Sequence, residues 1–227
     1  MKEKTICLIP ARGGSKRIKN KNIKKFFGKP ILERVIHNAK KSKLFDNIYV
    51  STDSTLIKRM AEKCGATVPY IRSKKLSDDH TIIKSVIDDF IGRVILNKKI
   101  KINIFILYPT SIFVDKKLII KCSKLLKKTE YVSAVKKYPH SIERALKFNK
   151  KKLEPLNLKK MFMRTQDLTD YYYNAGQIEC FKLDAWLKNK MFHKMNAKFI
   201  ILKDFESVDI DTQEDFELAC KIFRLNS

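Results

Sequence analysis

The chain has 227 residues, of which 44% are hydrophobic, and its 49 lysines and arginines against 24 acids give a formal net charge of +25. That length suits one α/β domain, 1–227, without a second full domain. No apolar stretch reaches membrane-spanning length, which excludes membrane insertion, and the N-terminal apolar run is too short for a signal peptide. The five cysteines, Cys7, Cys64, Cys122, Cys180 and Cys220, show neither disulfide-framework nor metal-ligand spacing, so a reduced, cytoplasmic protein is expected. The positive charge has two readings. A basic surface is the footprint of a nucleic-acid binder. However, only nine of the cations are arginine and lysine is spread over the whole chain, without a clustered arginine tract or zinc finger. Composition is therefore the favoured reading, with no specific nucleic-acid partner, and the charge would still draw in anionic substrates.

Ile6–Ile9 is a short apolar run stopped by Pro10, which reads as a buried parallel strand. Pro30 suits the first position of a helix carrying Ile31, Leu32, Val35, Ile36 and Ala39 on one face. Asn47–Ser51 reads as a second strand, followed by a helix with Leu56, Ile57, Met60, Ala61 and Cys64 inward and Gly65 at its end. A short strand is expected near Val68, then a helix from Thr81 to about Leu96. Ile102–Leu107 is the most strand-like run and is expected at the centre of the sheet. Lys136–Tyr173 is polar and irregular, with Pro139 and Pro155, and a stretch of that kind is usually functional or an interface. Strand patterns resume at Gln177–Phe181 and Phe199–Leu202. A final helix follows Val208-Asp209-Ile210-Asp211, with Thr212 and Asp215 at capping-box spacing. Strands alternating with helices predict an α/β fold with a doubly wound, mainly parallel (mixed) sheet.

Three stretches carry candidate chemistry. After the first strand, Gly13 and Gly14 could take positive φ, and Arg12, Lys16, Arg17 and Lys21 surround them. Converging amides and cations suit a polyphosphate, and the carboxyl ends of the strands are where open α/β sheets bind ligands. Neither standard phosphate-loop pattern is present, and a plain basic surface loop is the competing reading. Asp209 and Asp211 would share a face if extended. Such a pair beside phosphates suits Mg²⁺, while acids ahead of a helix also serve as caps. Arg72 and the turn Ser77-Asp78-Asp79-His80-Thr81 form a third candidate, which on residues alone reads equally as a solvated loop with a cap.

The run Pro-Ala-Arg-Gly-Gly-Ser-Lys-Arg-Ile from Pro10, with Lys21-Asn22-Ile23, resembles the opening motif of the acylneuraminate cytidylyltransferase family, apart from Lys19 where the family has Pro. Asp209-Ile-Asp-Thr-Gln-Glu-Asp resembles that family's closing motif, and the likeness runs from Ile6 to about Phe216. The resemblance implies a Rossmann-like nucleotide-diphosphosugar transferase fold that joins a nonulosonic acid to CMP from CTP, with Mg²⁺. It implies Arg12, Gly13, Gly14, Ser15 and Lys21 on the phosphates, Asn22, Arg72 and Thr81 on cytidine, and Asp209 and Asp211 on the metal. Arg12, Lys21, Asp209 and Asp211 are the catalytic candidates. His140-Ser-Ile-Glu-Arg144-Ala-Leu, Arg164-Thr-Gln166-Asp-Leu and Asn174-Ala-Gly-Gln177 resemble the branch that activates pseudaminic acid for glycan or flagellin glycosylation. Sugar-binding candidates are Tyr108, Arg144, Arg164, Gln166 and Gln177. Tyr108 stands where sialate-specific members have Gln, which argues against plain N-acetylneuraminate. Asn174 replaces an Asp and Glu179 an aromatic, so legionaminate and N-acetylneuraminate stay open as alternatives. The family likeness also implies a homodimer, with residues 136–173 as a dimerisation extension reaching the neighbour's sugar site.

Overall fold

The computed structural model describes residues 3–95 and 100–225. In chain order the elements begin with strand β1 (Lys4–Pro10), the two-residue pair β2 (Lys25–Phe26) and β3 (Lys29–Pro30), helix α1 (Ile31–Ser42) and β4 (Asn47–Ser51). They continue through α2 (Thr55–Lys63), α3 (Ile83–Val94), β5 (Ile102–Leu107), α4 (Lys116–Leu126) and β6 (Tyr131–Lys137). The hairpin β7 (Leu146–Asn149) and β8 (Lys152–Pro155) and the single turn α5 (Leu158–Met161) come next. The chain then forms β9 (Tyr172–Lys182), α6 (Leu183–Asn189), β10 (Ala197–Ile201) and α7 (Gln213–Leu225).

The main sheet runs β10-β6-β9-β5-β1-β4. Every pairing is parallel except those of β9, which is antiparallel to both β5 and β6. Alternate side chains of each strand enter opposite cores, because successive residues point to opposite faces of the pleat. Cys7 and Ile9 of β1, with Phe105 and Leu107 of β5, pack beneath α1, α2, α4 and α7. Leu8, Ile104 and Ile106 pack on the other side against Ile87, Phe90 and Ile91 of α3 and Trp186 of α6. Helices on both faces explain why β1 and β5 are apolar along nearly their whole length. This is the doubly wound, mixed but mainly parallel α/β architecture, Rossmann-like in plan.

Several boundaries differ from the sequence reading. Pro30 stands just before α1, in extended backbone (φ −54°, ψ 142°), and is the N-cap. The stretch near Val68 makes only isolated bridges, Tyr49 to Thr67 and Thr52 to Ile71. The helix expected from Thr81 begins at Ile83, and its expected end at Leu96 lies outside the described residues. Strand β6 and helices α4 and α6 had no counterpart in the reading above, and Lys136–Lys137, placed in an irregular stretch, end β6. Leu56, expected inward, is exposed; Ile57 and Ala61 are buried, and Met60 and Cys64 pack against the core partly buried. Thr212 and Asp215 do form a reciprocal cap: the Asp215 amide donates to Thr212 Oγ1 (3.2 Å), and the Thr212 amide donates to Asp215 Oδ2 (2.7 Å).

Candidate active site

The carboxyl ends of β1, β4 and β5 open onto one cleft, with the amino-terminal end of the reversed β9 beside them. The loop after β1 forms its floor and is held in three ways. Asn22 Nδ2 donates to the Arg12 carbonyl (2.8 Å), closing the loop on itself. The Gly13 amide donates to Asp53 Oδ1 (2.8 Å). Lys21 Nζ reaches the far end of the chain, donating to the Ile210 carbonyl (2.7 Å) and Asp211 Oδ1 (2.9 Å). Gly13 also lets the loop pass close to α2, since a Cβ there would lie 3.0 Å from Ser54 Cβ. The positive φ expected at Gly13 and Gly14 does not occur; the left-handed residue of this loop is Asn20 (φ 55°).

Two cavities share this cleft. The first, of about 300 Å³, is lined by Arg12, Ser15, Lys16, Arg17, Lys21 and Asn22 from the loop, by Arg72, Asp79 and Thr81 opposite, and by Tyr108 and Asp211. The second, of about 450 Å³, is lined by Lys21, Tyr108, Pro109, Thr110, Asn174, Gly176, Asp209 and Asp211. Lys21, Tyr108, Pro109 and Asp211 border both, so the cavities meet at a cation, a carboxylate and an aromatic ring.

The first cavity is strongly polar. Arg12 and Lys16 both hold Asp79 (2.7 and 2.5 Å), and these cations keep its carboxyl below the usual range. Arg72 is buried, donating to Ser77 Oγ (3.0 Å) and to Ser51, and burial lowers the pKa of its guanidinium. Asn22 is only 3% exposed, and its buried Oδ1 has no hydrogen-bond partner among the described residues. An unpaired buried acceptor is costly unless a ligand supplies the donor. Thr81 donates to Asp78 Oδ1 (2.6 Å), which holds the turn against the cleft.

Where the cavities meet, Arg17 (2.7 Å) and Lys21 pair with Asp211. Burial pushes Asp211 upward, but hydrogen bonds and charge from Lys21 and Arg17 outweigh it and hold the carboxyl below its ordinary value. Asp209 behaves oppositely: burial, reinforced by Asp211, raises it. A left-handed Gly176 (φ 61°) lets β9 pass Asp209, and a Cβ there would stand 3.3 Å from Asp209 Oδ2. Two carboxylates facing one cavity beside a lysine form a hard-oxygen donor set that suits a divalent cation bridged to phosphate.

The structure therefore brings together Arg12, Ser15, Lys21, Asn22, Arg72, Thr81, Tyr108, Asp209 and Asp211. Gly13 and Gly14 line neither cavity. With the Gly13 amide on Asp53 and the Ser15 amide on the Gly13 carbonyl (3.0 Å), two amides of the expected phosphate cradle are engaged within the chain. Gln177 lies outside both cavities: it is fully buried, and its Nε2 donates to the Ala175, Gly176 and Val208 carbonyls, tying the Asp209 segment to β9. Arg144, Arg164 and Gln166 are also off the cleft of their own chain. Arg144 binds the Met163 carbonyl and Thr165, Arg164 pairs with Asp167 (2.8 Å), and Gln166 lines a separate groove with Tyr138 and Thr169. The residue reading passed over Asn174 and Glu179 as cleft components; only departures from a family pattern marked them.

A family profile described as cytidylyltransferase matches residues 6–226, and the chain belongs to that family. Among curated relatives, a pseudaminic acid cytidylyltransferase of Campylobacter jejuni is 32% identical, over 98% of this chain and 97% of its own. A CMP-N,N'-diacetyllegionaminic acid synthase of Legionella pneumophila is 29% identical, over 97% of each. Among solved structures, CMP:2-keto-3-deoxy-manno-octonic acid synthetase complexed with CTP superposes with a TM-score of 0.69 at 12% identity, covering 99% of this chain and 100% of that one. At that identity the superposition supports the fold.

Proposed function

We propose that this protein forms CMP-pseudaminic acid and pyrophosphate from CTP and pseudaminic acid. The observation that carries the reading is the junction of two cavities at Lys21 and Asp211, one floored by cations and an unpaired amide acceptor, the other bordered by carboxylates. Asn22 Oδ1 would accept from the cytosine amino group, and Arg72 would donate to the ring carbonyl. Thr81 closes that end. Arg12, Lys16 and Ser15 would hold the β- and γ-phosphates, with Asp79 displaced from the two cations.

The anomeric hydroxyl of the sugar, seated in the second cavity, would attack the α-phosphorus in line with the departing pyrophosphate. Lys21 lies at the junction, where negative charge accumulates on the transferring phosphate. Catalysis of this kind is positioning and electrostatics, because fixed cations need no reorganisation as charge develops. Asp209 and Asp211 would hold Mg²⁺, which supplies Lewis-acid polarisation of a phosphate oxygen. Burial and mutual repulsion make Asp209 the carboxylate that gains most from a cation.

The reading extends to the assembly. Residues 136–173 would be the dimerisation extension of a one-domain chain, placing Arg144 or Arg164 at the partner's sugar carboxylate, and the enzyme would act in the cytoplasm. Free cysteines suit that compartment, and no helix among the described residues is long and apolar enough to cross a membrane.

The test is pyrophosphate release from each nucleoside triphosphate with a panel of nonulosonic acids. CTP with pseudaminate should give the highest kcat/KM, and Mg²⁺ should be required. Higher turnover with legionaminate or N-acetylneuraminate would reassign the sugar. Equal turnover of UTP would overturn the base site.

A further inference from the structure

Beneath the second cavity lies a carboxylate that has no place in the chemistry above. Glu179, on β9, is 2% exposed. Among the described residues it forms no ion pair; its partners are three neutral donors. Tyr108 Oη (2.9 Å) and Asn174 Nδ2 (2.5 Å) donate to Oε1, and Tyr131 Oη (2.9 Å) donates to Oε2. A buried carboxylate is tolerated only when its oxygens are hydrogen-bonded, so these bonds are held firmly.

The backbone is shaped to make this cluster. The pairing of β9 with β6 jumps from Glu179 opposite Ser133 to Asn174 opposite Val135, so the intervening residues bulge out of register. The bulge brings Asn174 back over Glu179, and the Gly176 amide donates to Asn174 Oδ1 (2.8 Å). Both faces of the Asn174 amide are thereby assigned. Its oxygen is taken, one N–H is on Glu179, and a second N–H remains. Tyr108, having given its proton to Glu179, retains acceptor capacity only. Tyr108 and Asn174 both line the second cavity.

We infer that Glu179 is a positioning residue that sets sugar specificity, by fixing Tyr108 as an acceptor and Asn174 as a donor on the wall of the second cavity. This rests on the reading of that cavity as the sugar site. The favoured substrate would place a hydroxyl or amide N–H against Tyr108 and a carbonyl, carboxylate or hydroxyl oxygen against Asn174. Epimers that exchange those groups would leave buried polar atoms unpaired, which is how hydrogen-bonding sites discriminate most strongly.

The test is steady-state kinetics of Glu179→Leu with a panel of epimeric nonulosonic acids. Leucine is of similar size but has no acceptor, so Tyr108, Asn174 and Tyr131 all lose the group that fixes them. KM for the preferred sugar should rise about tenfold while KM for CTP stays within about twofold, and preference between epimers should narrow. A merely structural role would move both KM values together, or lower the melting temperature and leave the sugar ratios unchanged; either result overturns the inference. If Glu179→Leu does not fold, Tyr131→Phe removes one donor from the side away from the cavity, and should raise only the sugar KM, by a few-fold. Absence of wild-type turnover with every nonulosonic acid would overturn the reading of the cavity itself. Wild-type turnover with unchanged sugar KM in both variants would overturn only the role of Glu179.

Discussion

The loop from Arg12 to Asn22 and the stretch from Lys136 to Tyr173 are both basic and irregular in sequence, yet their side chains meet different surroundings. In the loop, Arg12, Lys16, Arg17 and Lys21 all pair with acids far along the chain, Asp79 and Asp211, and face one cavity. In the later stretch the cations are not gathered on one cavity: Arg164 pairs with Asp167, Lys160 with Glu143 and Lys137 with Asp170 within the stretch, and Lys136 reaches Asp204, while apolar side chains stand outside. Phe162 is 84% exposed and Phe148 73%, with Leu146, Leu153, Leu156 and Leu158 exposed as well. Charge gathered around one cavity makes a binding site. Apolar groups left outside a finished core need another surface.

The largest effects are expected in the loop. Arg12→Ala should lower kcat/KM by about a hundredfold, as for loss of a preorganised charge at the transition state. Asp209→Ala should do as much, with excess Mg²⁺ restoring little. Near wild-type kcat/KM in either variant would make that residue structural and remove the contrast between the regions.

A smaller effect is expected at the base. Asn22→Ala deletes the unpaired Oδ1 and the bond to the Arg12 carbonyl together. Preference for CTP over UTP should fall about tenfold or more, because discrimination comes from groups that the wrong base leaves unpaired. Unchanged preference, measured with both nucleotides at saturating sugar, would move base reading to Arg72 alone.

The two regions also differ in how legible they are. β1 and β5 follow from short apolar runs whose two faces are both buried, and the charges of the loop stand in one contiguous motif. The contacts that complete the cleft do not. Lys21 meets Asp211 across 190 positions and Tyr108 meets Glu179 across 71, separations that no local pattern reveals. Tyr108, Asn174 and Glu179 looked like three independent departures from a family pattern, and the fold joins them into one hydrogen-bonded group. β6 was missed although Tyr131–Val135 is buried throughout, because its polar end, Lys136–Lys137, merges into the irregular stretch. Helix α4 carried a readable signal in Ile119, Cys122 and Leu126 at helical spacing. β9 begins five residues before the expected Gln177, since its first half is exposed and broken by the bulge around Gly176.

The smallest effect is the one that tests whether the regions meet across a dimer. Arg164 is 73% exposed and its carboxylate partner lies only three residues away, so its guanidinium is open to a second ligand, and a planar fork can pair with both oxygens of a sugar carboxylate. Arg144 is less available, being committed to the Met163 carbonyl and Thr165. Mix the variants Arg12→Ala and Arg164→Ala, each inactive alone, after reversible dissociation. If Arg164 serves the partner's site, each heterodimer holds one site with both lesions and one with neither. Random pairing makes half the dimers heterodimers, so about a quarter of the sites should recover. If both arginines serve a site within one chain, every site in the mixture keeps a lesion. No recovery, with heterodimers verified by native mass spectrometry, would confine the site to a single chain and leave the exposed phenylalanines to bracing the interface.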